Sequence, residues 1–264
     1  MIDAYSPIAQ GGRHRVAGAA GAPAGMERDP HSAAAPSSWA KLHPQWVAIV
    51  REKCGLLADD FLLLAHDERG VPLVAEGVVR LGIAAALLAE LVLDGQITIE
   101  RDTVVLCEAE PPDEPLARYM VSTLTREGED HTVRDLLAFF ALTATQQVAK
   151  RLPKQNGVDY RRRVPFLPGR WVPRDPNAGM TVGITLANKL VRPRKDLSAQ
   201  RVVLAGLARV TGLESVHRAL AELSDNPRAS NRLDDELRRL SPALRALLRD
   251  LEQVAAAYPT LGHR

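Results

Sequence analysis

The chain reads as a mainly α protein: a compact helical domain around one buried central helix, with small β-hairpins, one of them protruding and basic. Three observations carry this reading. From Leu81 to Leu93 only Gly82 and Glu90 interrupt a run of Ala, Leu, Ile and Val; Ala and Leu favour a helix over a strand, and a helix apolar nearly all round is buried on most sides. Elsewhere leucines recur at helical spacing beside charged residues. The period turns to alternation only twice, near residues 96–107 and 158–173.

The first 38 residues are rich in Ala, Gly, Pro and Ser, with little to bury, so a disordered tail is expected. Residues 39–55 read as a short linker helix, and the helical domain is placed at 56–223. It opens with LLADDFLLLAHDE, a helix with a leucine-rich face ended at Glu68-Arg69-Gly70. The central helix follows and stops at Asp94-Gly95, where glycine suits the left-handed cap. At roughly thirteen apolar-rich residues it falls short of the roughly 20 needed to cross a bilayer.

Residues 96–100 and 103–107 alternate around Arg101-Asp102, which predicts a hairpin. An acidic, proline-bearing loop leads to a short helix over 116–125. Thr132-Val133-Arg134-Asp135 resembles a capping box with Asp in place of Glu, and one long helix is expected from it to Leu152, before Pro153. Leu136, Phe139, Phe140, Thr143 and Gln147 form its expected core face. Lys150 and Arg151 close it, where positive charge suits the helix dipole.

Residues 158–164 and 170–173 can pair around Phe166-Leu167-Pro168-Gly169, the prolines restricting such strands to an edge. The product is a hairpin carrying Arg161, Arg162, Arg163 and Arg170 beside Phe166, Leu167 and Trp171. It either protrudes towards a membrane, a protein or a nucleic acid, or folds back as a wing with its arginines in water. Helices are expected over 181–191, 198–212 and 215–223, a linker at 224–231, and an amphipathic helix or helix pair over 231–258, within a C-terminal segment of 224–264.

Net charge is only +2, so any electrostatic message is local. Between Lys150 and Arg201 thirteen cations face only Asp159, Asp175 and Asp196. A cation near an acidic membrane contributes about 1 kcal/mol. Two cysteines make no disulfide framework, and no secretory signal pattern opens the chain, so a cytoplasmic protein is expected, resting at most on the inner face of the cell membrane. There is no Walker loop, dinucleotide turn or nucleophile elbow. The seven histidines have no metal-ligand spacing. Neither a metal nor a cofactor is expected, and nothing argues for an enzyme.

The order LLADDFLLLAHDERG, LGIAAALLAELVLDGQI, HTVRDLLAFFA, VAKRL, WVPRDPN and VVLAGLARVTGL resembles the Golgi phosphoprotein 3 family, above all its bacterial and actinobacterial members, over roughly residues 56–217. The resemblance implies a mostly helical domain with a β-hairpin arm. It also implies a peripheral membrane protein that binds phosphatidylinositol 4-phosphate, using a tryptophan before the core helix, an arginine early in it and arginines on the later long helix. Those positions fall here at Ala75, Ala84, Leu142 and Thr145, none of the family's type. Arg80, one turn before Ala84, with Lys150 and Arg151, is the substitute headgroup site that remains; Arg80 can equally be a solvated surface residue.

Three functions follow as expectations: an anionic-lipid binder without catalysis; a scaffold or homo-oligomer joined through the hairpin; and a winged-helix-like nucleic-acid module. The last is disfavoured because no polar recognition helix accompanies the arm.

Overall fold

A computed structural model describes residues 56–128, 131–152, 157–162, 169–191, 197–224 and 226–258. The expected tail, the linker helix at 39–55, and Arg163, Phe166 and Leu167 of the hairpin tip lie outside these residues. Among the described residues there are eleven helices and two two-stranded antiparallel hairpins. Helices α1 (Leu57–Leu64) and α2 (Glu76–Leu93) are followed by strands β1 (Ile97–Glu100) and β2 (Thr103–Leu106). Next come α3 (Pro115–Glu127), α4 (Val133–Ala141), α5 (Ala144–Arg151), β3 (Val158–Arg161) and β4 (Arg170–Pro173). The remainder is helical: α6 (Ala178–Val191), α7 (Ala199–Val210), α8 (Leu213–Val216), α9 (Arg218–Ser224), α10 (Pro227–Arg239) and α11 (Pro242–Ala255).

The apolar run does form the central helix. In α2, Val78, Val79, every residue from Leu81 to Ala89, Leu91 and Val92 are buried, enclosed by α1, α4, α5, α7 and α11. Its end is a Schellman cap: Gly95 takes φ +68°, its N–H donates to Val92, and Gln96 N–H donates to Leu91. This geometry satisfies two carbonyls that the helix would otherwise leave open.

The first hairpin keeps the expected register. Glu100 pairs with Thr103, and the two-residue turn places Arg101 and Asp102 at positive φ, as a primed turn requires. The hairpin leans on α4, because Val104 N–H donates to His131 and Val133 N–H donates to Asp102. Helix α3 starts at Pro115, with the Glu114 side chain accepting from Ala117 N–H at 2.6 Å.

Four expectations need correction. The long helix after Thr132 is two helices. Its capping pair forms, with Thr132 Oγ1 accepting from Asp135 N–H and donating to the Asp135 carboxylate at 2.6 Å. At Leu142 and Thr143, however, the N–H groups bond three residues back, to Phe139 and Phe140. The buried row is therefore Leu136, Phe140, Ala144 and Val148. Phe139 is 48% exposed and Thr143 is exposed, because the tightened turn at Leu142 and Thr143 directs Ala144 and Val148 inward in their place.

The segment expected as one helix over 215–223 is split at His217, whose extended backbone separates α8 from α9. Residues 224–231, expected as a linker, instead contain the start of α10. Asn226 accepts from Arg228 and Ala229 N–H and Pro227 sits at the first helical position, a favoured helix opening. Either Asp196 or Ser198 is expected from the sequence to cap α7: Ser198 stands at its N-cap without a side-chain capping bond, and Asp196 lies outside the described residues. The C-terminal pair α10 and α11 places Leu233, Leu244, Leu247 and Leu251 in the same core as α2.

Candidate functional site

The expected headgroup cations do not share one environment. Arg80 projects from the exposed side of α2 and pairs with Glu76 one turn earlier. Lys150 is exposed near the end of α5. Arg151, its neighbour, is turned inward, with only 8% of its side chain exposed.

Arg151 is the centre of a buried charge junction. Its guanidinium grips Glu90 of α2 with two bonds, at 2.8 and 3.0 Å, a bidentate geometry that suits arginine. Nε donates to Asp59 of α1 at 2.8 Å, and Glu114, the cap of α3, lies 3.5 Å away. Glu90 also accepts from Ala58 N–H at 2.8 Å, so it caps the first turn of α1. One cation thus joins four helices.

Burial raises the Asp59 pKa to about 6, with Arg151 acting against the rise. Burial likewise raises Glu90, again opposed by Arg151. Burial disfavours the Arg151 charge, but Glu90 and Asp59 more than offset it and its pKa rises. Arg151 is therefore committed to internal carboxylates, and a lipid phosphate would have to displace them.

This junction was missed in the sequence, although Glu90 carries a signal. A lone carboxylate inside an apolar helix must find a cation or a hydrogen-bond donor, because an unpaired buried charge is too costly. The partner, 61 residues away in sequence, could not be named from local pattern.

The positions matching the family's headgroup pocket offer little to an anion. Ala75 is the N-cap of α2, Ala84 is wholly enclosed, and Leu142 is 77% exposed. Thr145 is half-buried.

The basic hairpin forms, with Val158 opposite Pro173 and Tyr160 opposite Trp171. The Tyr160 and Trp171 rings meet at a tilt of 56° with 5.0 Å between centroids, and Tyr160 Oη accepts from Gly169 N–H at 3.0 Å. The base is grounded on the domain. Trp171 packs partly against the core, and Gly70, at φ +71°, sits so close beneath β4 that a Cβ there would lie 2.2 Å from the Trp171 carbonyl oxygen. Asp159 joins Arg174 at 2.7 Å and Arg161 at 3.8 Å; the bond from Arg174 holds the Asp159 carboxyl below its usual range. Arg162 and Arg170 are exposed and in no ion pair among the described residues. The hairpin therefore combines both sequence alternatives: its base folds back while its distal strand ends present arginines.

No group of His, Cys, Asp and Glu suited to a metal ion occurs among the described residues, and no described helix is long and apolar enough to cross a membrane. The model of the Golgi phosphoprotein 3 (GPP34) family matches residues 57–251, which takes in every described helix up to most of α11. No curated protein matches the chain.

Proposed function

Since the chain belongs to the Golgi phosphoprotein 3 family, we propose that it is a non-enzymatic peripheral membrane protein that binds anionic lipid through the basic β3–β4 hairpin, from the cytoplasmic side. The observation that carries this reading is the distal end of that hairpin: Arg161, Arg162 and Arg170 are exposed around Tyr160, itself 53% exposed. Arginines supply attraction to the acidic surface, and the sequence between the strands adds Arg163 with Phe166 and Leu167, which can bury apolar area at the interface. Paired signals of this kind matter because one weak anchor rarely holds a protein on a bilayer.

Phosphatidylinositol 4-phosphate is the headgroup the family suggests. Arg151 is spent on Glu90 and Asp59 and the family's pocket positions here carry Ala75, Ala84, Leu142 and Thr145. That leaves Arg80 and Lys150 as its cations, so the attraction should follow membrane charge more than headgroup identity.

The test is co-sedimentation with neutral vesicles, vesicles of general acidic lipid, and vesicles containing phosphatidylinositol 4-phosphate at equal total charge. Equal binding to both acidic sets is expected, lost when Arg161, Arg162 and Arg163 are all replaced by Ala. Selective binding to the phosphoinositide set would replace the charge reading with a retained headgroup site, next probed by Arg80→Ala. Undiminished binding by the folded triple variant would remove the hairpin from the mechanism.

A further inference from the structure

The groove between α6 and α9 has no part in this lipid reading and stands on separate observations. One face of α6 is committed to the domain through Gly179, Gly183, Leu186 and Leu190. Another presents Met180, Ile184 and Ala187 at helical spacing, and with Asn188 they form one wall of an open groove of about 440 Å³. Arg218 and Ala219 of α9 form the other. Of these apolar lining residues Ile184 is 48% exposed, while Met180 and Ala187 are half-buried. A single exposed aliphatic needs no explanation, but three apolar side chains aligned along the wall of one open groove mark an interaction surface.

Charge selects the occupant. Arg218 lines the groove, is exposed, and forms no ion pair among the described residues. Lys189, beside Asn188, is likewise exposed and its side chain is in no ion pair among them. Among the described residues no carboxylate lines the groove; nearby Glu214 is engaged by Arg209 at 2.9 Å. An arriving ligand must therefore bring both the apolar ridge and the anion. A flat bilayer meets a concavity poorly, whereas an amphipathic helix inserts side chains at i, i+4 and i+7 into such a groove.

We propose that the α6–α9 groove docks an acidic amphipathic helix of a partner protein, its apolar ridge against Met180, Ile184 and Ala187 and a carboxylate on Arg218.

The test uses the full chain and two fluorescein-labelled designed peptides. Both carry leucines at helical spacing; one has flanking glutamates and the other lysines. Fluorescence anisotropy should show the acidic peptide binding in preference to the basic one. Ile184→Asp and Arg218→Glu, both at exposed positions, should each weaken it at least about tenfold, with circular dichroism unchanged. Arg218→Glu should also move the preference towards the lysine peptide.

Binding of neither peptide, or equal binding of both, would overturn the proposal. So would vesicle binding lost on Ile184→Asp and not competed by the acidic peptide, which would assign the face to the membrane. A fall in mass by light scattering on Ile184→Asp would assign it to a second copy of the chain and equally overturn the proposal.

Discussion

Replacing Arg151 with Met tests whether the buried junction holds the fold together. The aliphatic stem is retained in volume, but Glu90 loses two charge-assisted bonds and Asp59 loses its own. Both carboxylates stay enclosed. Removing one partner of a buried ion pair costs about 3–5 kcal/mol, because the remaining charge cannot regain water. At roughly 2–4 °C per kcal/mol for a domain of this size, the melting temperature should fall by about 10 °C at pH 7. Thermal and urea unfolding followed by circular dichroism measure this directly. The loss should shrink at pH 5, where the orphaned carboxylates can take up protons and become neutral. A further Glu90→Gln change in the Met variant should recover part of the loss, since the two positions share one interaction. A cost below about 1 kcal/mol, or one independent of pH, would show that water reaches the junction and refute the reasoning.

Asp59 makes a second prediction. Its folded pKa of about 6 exceeds the ordinary 3.8, so folding favours its protonated form. The stability it contributes is fully present below about 3.8 and lost as pH rises through about 6. Asp59→Asn should therefore flatten the fall in urea midpoint between pH 5 and pH 7; an unchanged slope would assign that fall to other groups. Gly70→Ala should destabilise the protein and release the hairpin base, seen as faster amide exchange in Val172, because the new Cβ meets the Trp171 carbonyl and glycine alone tolerates that φ freely. Asn226→Ala should cost about 1 kcal/mol through loss of the α10 cap, measured by urea unfolding; no loss would show that Pro227 suffices to open the helix. Trp171→Asp should leave the mass by light scattering unchanged if the half-buried indole serves the domain, whereas a smaller particle would make the hairpin an assembly contact.

The elements that could be read from sequence are those whose instructions are local. The central helix announces itself by its composition, its stop by Gly95, and the first hairpin by alternation around Arg101-Asp102. The break between α4 and α5 has no such marker. No glycine or proline occurs from Thr132 to Leu152, and the two segments turn under tertiary demand, which places Ala144 and Val148 in the core and brings Arg151 to Glu90. Asn226-Pro227 did carry a local instruction, but a cap followed by proline looks like a turn until the helix beyond it is recognised. The hairpin arginines were legible as a cluster, and Arg161, Arg162 and Arg170 are exposed. Arg151 was legible only as a cation at a helix end; its inward orientation depends on acids from three other helices.

That junction also bears on how long the fold lasts once formed. Asp59 and Arg151 are 92 residues apart, and closing so long a loop is entropically unfavourable until the intervening helices have docked. The Arg151 contacts should therefore be made after the rate-limiting step, where an interaction restrains escape from the native basin without hastening entry to it. In stopped-flow measurements Arg151→Met should steepen the loss of native protein while leaving the refolding rate nearly unchanged. The junction would then act as a clasp, setting the lifetime of the folded domain more than the speed of its assembly.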